Sequence, residues 1–140
     1  MTAITDDELV AAAWAARERA LCDYSNFAVG AAFEDESGEI WTGANVENAS
    51  YNLGLCAERV ALYYALTHGG RGFKRVAVVT SAETVAPPCG ACRQALFEFA
   101  RDATVLLESL GGERQRHTVR ELLPLAFEAR HLGRHGADED

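Results

Sequence analysis

Two short cysteine-containing segments place the strongest constraint on how this chain can fold. The first cysteine segment is Cys56-Ala57-Glu58, and the second is Pro87-Pro88-Cys89-Gly90-Ala91-Cys92. Three thiolates from two separated segments, with one coordination position left free, form a ligand set typical of a catalytic zinc site. A structural zinc site would normally need a fourth protein ligand, and no further Cys or His is paired at ligand spacing. The sequence therefore predicts a fold that brings both segments to one point, with the Glu58 carboxyl beside them to handle protons.

Other uses of the four cysteines compete with this interpretation. Two disulfides would suit a secreted protein, but residues 6–8 are all acidic and no signal peptide precedes them. We therefore expect a cytoplasmic protein, in which disulfides are rare. A thioredoxin-like role for Cys89 and Cys92 stays open, although it leaves the first cysteine segment unexplained. Cys22 stands alone and is interpreted as a small buried hydrophobe.

Length and charge restrict the class of function. A chain of 140 residues with 49% hydrophobic and 24% charged residues is typical of one globular domain, which we place over residues 1–132. Residues 133–140 are predicted to form a polar, disordered tail. The net charge of -8 argues against a polynucleotide partner, and no apolar run reaches the length of a membrane span. We expect a small, uncharged substrate.

The order of predicted elements indicates an α/β three-layer domain with one mixed sheet. Thr5 and Glu8 form a capping-box pattern at the start of the first helix. The two helices that begin at the cysteine segments connect successive strands, so both can lie on one face of the sheet with their N-termini together. There the helix dipoles would favour thiolates. The predicted helices span residues 5–20, 56–68, 89–101 and 119–123, and the predicted strands span residues 27–33, 39–46, 75–80, 104–108 and 114–118.

Asn45 and Glu47 form a second candidate site at the end of a predicted strand. In an extended backbone they project on the same side, where an amide and a carboxylate would suit sugar hydroxyls. On spacing alone, a polar loop is the favoured interpretation.

Taken together, these motifs resemble the cytidine deaminase family in its small homotetrameric form. The resemblance extends over about residues 9–132. One departure is Asp23, where the family usually has proline before Tyr-Ser. The matching stretches are Tyr24–Ala32, Asn45–Tyr51, Cys56–Arg59, Pro88–Gln94, and Leu122-Leu123-Pro124 with Phe127.

The resemblance implies a cytidine-deaminase-like α-β-α domain with a mixed five-stranded sheet. It also implies zinc-dependent hydrolysis of cytidine and 2'-deoxycytidine to uridine and 2'-deoxyuridine, with release of ammonia, as in pyrimidine salvage. Zinc would lower the pKa of a water molecule, and Glu58 would take that water's proton, deliver one to ring N3, and protonate the departing ammonia. A surface carboxylate is the alternative interpretation of Glu58, which the flanking cysteine and the resemblance disfavour.

The resemblance also assigns roles to the other site residues. Arg59 would donate to the cysteine sulfurs and offset the charge that three thiolates leave on the zinc site. Phe127 would reach across a subunit boundary to cover the base; without the resemblance we would interpret it as a core residue. The remaining assignments are Cys56, Cys89 and Cys92 to zinc, Phe27 to the base, Asn45 and Glu47 to the ribose, the backbone of Ala57 and Cys89 to the base edge, and Ala49 and Tyr51 to a neighbouring subunit's site.

Two other functions compete with this interpretation. Blasticidin S deaminases share the two cysteine motifs, although the Asn45 and Glu47 pattern fits cytidine deaminases better. A non-catalytic zinc-stabilised binding module would have no need of Glu58.

Overall fold

A five-stranded mixed sheet lies at the centre of the fold, with helices on both of its faces. The computed structural model describes residues 3–133, so the predicted tail lies outside the described residues except for Gly133. The helices are α1 (Asp6–Arg17), α2 (Ala57–Thr67), α3 (Gly90–Phe99) and α4 (Val119–Leu122), and the strands are β1 (Val29–Glu34), β2 (Ile40–Ala44), β3 (Arg75–Thr80), β4 (Thr104–Glu108) and β5 (Arg114–Thr118). Two short 3-10 turns cover Tyr51–Leu53 and Ala129–Leu132.

The strand order is β2-β1-β3-β4-β5. Strand β1 pairs antiparallel with both β2 and β3, β3 and β4 are parallel, and β4 and β5 are antiparallel. The prediction of a mixed five-stranded sheet in an α/β domain is confirmed. Strand β3 is buried along almost its whole length, as its continuous apolar sequence predicts for a central strand covered on both faces.

Alternate residues of the central strands point into two separate cores. Ala31 and Phe33 of β1 lie in the core that α2 and α3 cover, and Ala32 lies in the core that α1 covers. Both cysteine-bearing helices therefore lie on one face, as predicted. Their N-terminal ends can meet there because neither helix has to cross the sheet.

The capping box predicted at the first helix is confirmed. Thr5 Oγ1 accepts from the backbone N–H of Glu8, and Glu8 Oε1 accepts from the backbone N–H of Thr5. The helix ends at Arg17 instead of residue 20, and tighter 3-10-type hydrogen bonds follow it.

The hairpin strands are shorter than predicted at the end near the cysteine segments. Asn26 has a φ of 56° and precedes the predicted strand, but Phe27 and Ala28 also lie outside β1. Beyond Ala44 the backbone leaves β2 and forms isolated bridges, through Val46, to Leu21 and Leu55. The residues that precede β1 and follow β2 are therefore loops.

Helix α2 lies unusually close to β2. A Cβ atom on Gly43 would lie 2.6 Å from the backbone nitrogen of Ala61 in α2. On the opposite face, a Cβ atom on Gly30 would lie 2.0 Å from the carbonyl oxygen of Ala13 in α1. The small residues of these strands thus permit close helix packing. No helix within residues 3–133 combines the length and the apolar character that crossing a bilayer requires.

Candidate metal centre and substrate cleft

The thiols of Cys56, Cys89 and Cys92 converge on one point. Their three sulfur atoms all lie within 4.8 Å of one another, and the Sγ atoms of Cys56 and Cys89 are 3.6 Å apart. Tetrahedral zinc with Zn–S bonds of about 2.3 Å would separate two sulfurs by about 3.8 Å. The donor set and its spacing therefore fit a zinc ion held by three cysteines.

The local backbone explains how the sulfurs meet. Cys56 is the N-cap of α2 and Cys89 is the N-cap of α3, both with an extended backbone, whereas Cys92 lies in the first turn of α3. The prediction that Cys56 and Cys89 lie within the helices was wrong by one position. Pro87 and Pro88 precede the second N-cap and keep the chain extended up to it. The Cys92 backbone N–H donates to Cys89 Sγ at 3.5 Å.

The cluster carries negative charge that neighbouring groups stabilise. A hydrogen bond from Cys92 lowers the pKa of Cys56 to about 5, and a further contribution comes from Arg59. The same hydrogen bond, together with burial and the neighbouring negative charges, raises the pKa of Cys92. Arg59 Nη2 donates to Cys56 Sγ at 3.4 Å. The Arg59 guanidinium and the Cys56 thiolate thus form an ion pair.

Glu58 is the buried acid of this site, with only 5% of its surface exposed. Burial raises the pKa of Glu58 to about 7, and the charge of the Cys56 thiolate acts in the same direction. Such a carboxyl can both accept and donate a proton near neutral pH.

A cleft of about 490 Å³ opens beside the sulfur cluster. Most of the residues predicted from the sequence line it, from the metal ligands at one end to the sugar-binding candidates at the other. The predicted residues in its wall are Phe27, Asn45, Glu47, Tyr51, Cys56, Ala57, Glu58, Arg59 and Cys89.

Asn45 is already engaged with the loop that carries Phe27. Its Oδ1 accepts from the Val29 backbone N–H at 2.8 Å, and its Nδ2 donates to the Phe27 carbonyl oxygen at 2.9 Å. Only 7% of Asn45 is exposed. The Asn45 side chain therefore fixes the backbone where the loop enters β1. The spacing of residues in the sequence did not indicate this role.

Glu47 lies at the rim of the same loop. Its carboxylate accepts from the backbone N–H groups of Tyr24 and Ser25 and from the Ser25 hydroxyl. The hydroxyl hydrogen bond from Ser25 is the main reason that the pKa of Glu47 is lowered. Glu47 is thus a negatively charged acceptor at the open end of the cleft.

Ala49 and Phe127 do not line the cleft of their own chain. Ala49 is exposed on the loop after β2, and 56% of Phe127 is exposed on a different surface, beside a cavity of about 580 Å³. Tyr51 reaches the cleft rim but is 80% exposed, with its ring at 6.1 Å from that of Tyr24. The ring of Phe127 stacks on that of His131 at 5.5 Å, and most of the surface of both Tyr51 and Phe127 stays exposed within one chain.

Two residues that we did not assign from the sequence make long-range contacts at the second cysteine segment. Arg93 donates to the carbonyl oxygens of Pro88 and Leu122 at 2.8 and 2.9 Å. Gln94 Nε2 donates to the Phe127 carbonyl oxygen at 2.8 Å. Both follow Cys92 directly in a motif that we had recognised, but no local pattern indicates which carbonyls they reach.

Comparison with known proteins agrees with this geometry. The family model described as "Cytidine and deoxycytidylate deaminase zinc-binding region" matches residues 3–108. The cytidine deaminases of Halalkalibacterium halodurans and Sporosarcina psychrophila are 48% and 45% identical over 122 residues, which is 86% of this chain and 92% and 90% of theirs. The crystal structure of cytidine deaminase from Burkholderia pseudomallei superposes with a TM-score of 0.86 at 45% identity, covering 89% of this chain and 100% of that one.

Proposed function

Because the chain belongs to the cytidine and deoxycytidylate deaminase family, we propose that the cleft beside Glu58 is its active site, for the deamination of cytidine and 2'-deoxycytidine. The observation that carries this proposal is a buried carboxyl next to three convergent sulfurs in the wall of a cleft of about 490 Å³. The products are uridine or 2'-deoxyuridine and ammonia, a reaction of pyrimidine salvage.

Zinc is the cofactor that the sulfur cluster fits, with Cys56, Cys89 and Cys92 as its ligands. When bound, zinc supplies a Lewis acid that lowers the pKa of a water molecule toward neutrality. Three thiolates would leave a formal negative charge on the site. The hydrogen bond from Arg59 to Cys56 and the N-terminal ends of α2 and α3 offset that charge.

Glu58 carries the proton transfers in this mechanism. Water adds to C4 of the ring, a C4–O bond forms, and the bond between C4 and the exocyclic nitrogen breaks. Glu58 takes one proton of the attacking water and passes it to ring N3. It then takes the second proton, from the new hydroxyl group on C4, and passes it to the amino group, which leaves as ammonia. The raised pKa of Glu58, about 7, suits a group that must alternate between acid and base.

The opposite end of the cleft suits an uncharged sugar. Glu47 offers a charged acceptor for hydroxyl groups, and Asn45 orients the loop that presents Phe27 to the base. A sugar phosphate would face repulsion from Glu47. The guanidinium of Arg59, which also lines the cleft, is engaged with the Cys56 sulfur. These contacts support a nucleoside over a nucleotide as substrate.

Incomplete enclosure of the cleft supports a homotetramer with shared active sites. Tyr51 and Phe127 are large aromatic residues with most of their surface exposed, and Ala49 is exposed beside Tyr51. In the proposed assembly, Ala49 and Tyr51 reach a neighbouring sugar site, and Phe127 covers a neighbouring base. We place this tetramer in the cytoplasm.

A spectrophotometric assay on a small panel of compounds tests the proposal. The panel contains cytidine, deoxycytidine, deoxycytidine monophosphate and blasticidin S, with ammonia release measured in parallel. We expect turnover of the two nucleosides and little turnover of the monophosphate. Glu58→Gln should retain zinc and fold but lose activity on the order of 10²-fold or more. A zinc-loaded, folded protein that releases no ammonia from either nucleoside would contradict the proposed function.

A further inference from the structure

The N-terminal half of α3, which begins after Cys89 and contains Cys92, performs a second task besides its contribution to the metal site. Arg93 and Gln94 follow Cys92 directly and point toward the C-terminal part of the chain. Arg93 joins the carbonyl oxygen of Pro88, the residue before Cys89, to the carbonyl oxygen of Leu122. Three hydrogen bonds of 2.8 to 2.9 Å thus tie the N-terminal half of α3 to the second cysteine segment, to the last residue of α4 and to Phe127 beyond it.

Residues 122–127, which we call the C-terminal strap, pack against the core of α2 and α3 through Leu122, Leu123 and Ala126, but the strap also contains two highly exposed residues. Leu125 has a φ of 54°, a left-handed backbone that residues other than glycine rarely adopt, and its side chain is fully exposed. Phe127 is also more exposed than buried. Arg93 holds the start of the strap and Gln94 holds its end, at Leu122 and Phe127 respectively.

The chemistry of the two side chains suits this anchoring. A guanidinium presents several donors in a rigid planar fork, so one arginine can hold two carbonyl oxygens at a defined separation. The neutral amide of Gln94 makes one such bond, from Nε2 to the Phe127 carbonyl oxygen. Because both residues lie in the N-terminal half of α3, the helix that Cys89 caps, movement of the strap and movement of that metal ligand are mechanically linked.

We propose that Arg93 and Gln94 are positioning residues for deamination: Arg93 holds the Cys89 turn against the strap, and Gln94 sets the position of Phe127 over the base. This proposal rests on the proposed function, because it takes Phe127 to be the residue that covers the substrate. Neither side chain needs to touch the substrate or the metal.

Gln94→Glu tests the Phe127 half of the proposal. The change is nearly isosteric, but a carboxylate cannot donate to the Phe127 carbonyl and instead repels it. We expect KM for cytidine to rise roughly tenfold, with kcat within about twofold and the zinc content unchanged. Gln115→Glu on exposed β5 is the matched control and should leave KM unchanged. A fall in kcat and zinc content without a change in KM would overturn this half. Gln94→Ala provides a second variant if the glutamate destabilises the fold.

Arg93→Lys tests the metal-site half. Lysine keeps the charge but cannot span both carbonyl oxygens, so the Cys89 turn should loosen. We expect zinc to pass to a competing chelator on the order of tenfold faster. Arg71→Lys is the matched control, because Arg71 also donates to two carbonyl oxygens, those of Leu66 and Gly70, at the far end of α2. Equal zinc release by both lysine variants, or unchanged release from Arg93→Lys, would overturn the proposal.

These measurements separate the failure of this inference from the failure of the proposed function. If the wild-type protein deaminates cytidine but Gln94→Glu retains the wild-type KM, the positioning role of Gln94 is refuted and the function stands. If the wild-type protein is inactive on cytidine, the proposed function fails. The role of Arg93 is then still decided by the chelator experiment, which needs no turnover.

Discussion

Substitution of Gly43 by alanine should damage the active site through packing alone, without changing any residue of the site. Gly43 lies in β2, directly under α2, and α2 begins at Cys56 and carries Glu58 in its first turn. A new Cβ atom would lie 2.6 Å from the Ala61 nitrogen, 3.0 Å from the Ala57 carbonyl oxygen and 3.0 Å from the Ala61 Cα. All three contacts involve helix backbone, so no side-chain rotation can relieve them.

The size of the effect follows from these distances. Restoring ordinary van der Waals contact requires α2 to retreat from β2 by roughly 1 Å. Overpacking of a close-packed core costs about 1–3 kcal/mol, which corresponds to a fall in Tm of roughly 3–12 °C for a chain of this length. A shift of about 1 Å at reacting groups can lower a rate by on the order of 10²-fold. We therefore expect a large loss of kcat/KM from a moderately destabilised, folded enzyme.

Gly30→Ala is the matched control on the opposite face of the sheet. Its Cβ would lie 2.0 Å from the Ala13 carbonyl oxygen and 2.8 Å from the Arg17 nitrogen, so the clash with α1 is at least as severe. Helix α1 carries no metal ligand and no residue of the cleft. Thermal unfolding and steady-state kinetics, expressed per folded and zinc-loaded protein, measure both variants. The reasoning is refuted if Gly43→Ala keeps the wild-type Tm, or if Gly30→Ala loses as much specific activity as Gly43→Ala.

Three further outcomes are expected. The Arg59→Ala variant should fold but lose zinc faster or turn over more slowly, because the hydrogen bond from Arg59 to the Cys56 sulfur is removed. Unchanged zinc content together with an unchanged rate would contradict this expectation. Co-expression of Glu58→Gln with Phe127→Ala should produce mixed assemblies that are more active than either variant alone. In such an assembly, an intact Glu58 from one chain can meet an intact Phe127 from another. Activity equal to the sum of the separate variants would argue against shared sites. The hydrogen bond from Arg75 holds the pKa of Asp6 below its usual value, so the ionised carboxylate stabilises the folded state. This stabilisation is fully present at neutral pH and is lost as the pH falls from about 4 through the lower pKa of the folded state. In urea denaturation between pH 7 and pH 3, the free energy of unfolding should fall less for Asp6→Asn than for the wild-type protein.

Local sequence signals predicted most of the fold because each depends on neighbouring residues. The capping box at Thr5 and Glu8 forms across a single helical turn. The apolar run of β3 predicts a strand that is covered on both faces, and the two prolines before Cys89 predict where α3 can begin. The boundary missed at β1 lies where Asn45 bonds to the backbone of Phe27 and Val29, and the boundary missed at β2 lies where Val46 forms bridges to Leu21 and Leu55. No local pattern contains these tertiary contacts.

For the site, the amino-acid sequence by itself determined which chemical groups are available: three thiols, one carboxyl between two of them in the chain, and an arginine next to that carboxyl. Only the tertiary structure decided what each group contacts. It brought the sulfurs of Cys56 and Cys89, 33 positions apart, to 3.6 Å, engaged Asn45 with the backbone around Phe27, and left Phe127 outside its own cleft. The physical reason is that these interactions differ in sequence separation. Helix starts and strand periodicity depend on residues a few positions apart. A side chain reaches a hydrogen-bond partner that is distant in sequence only after the sheet and helices have packed.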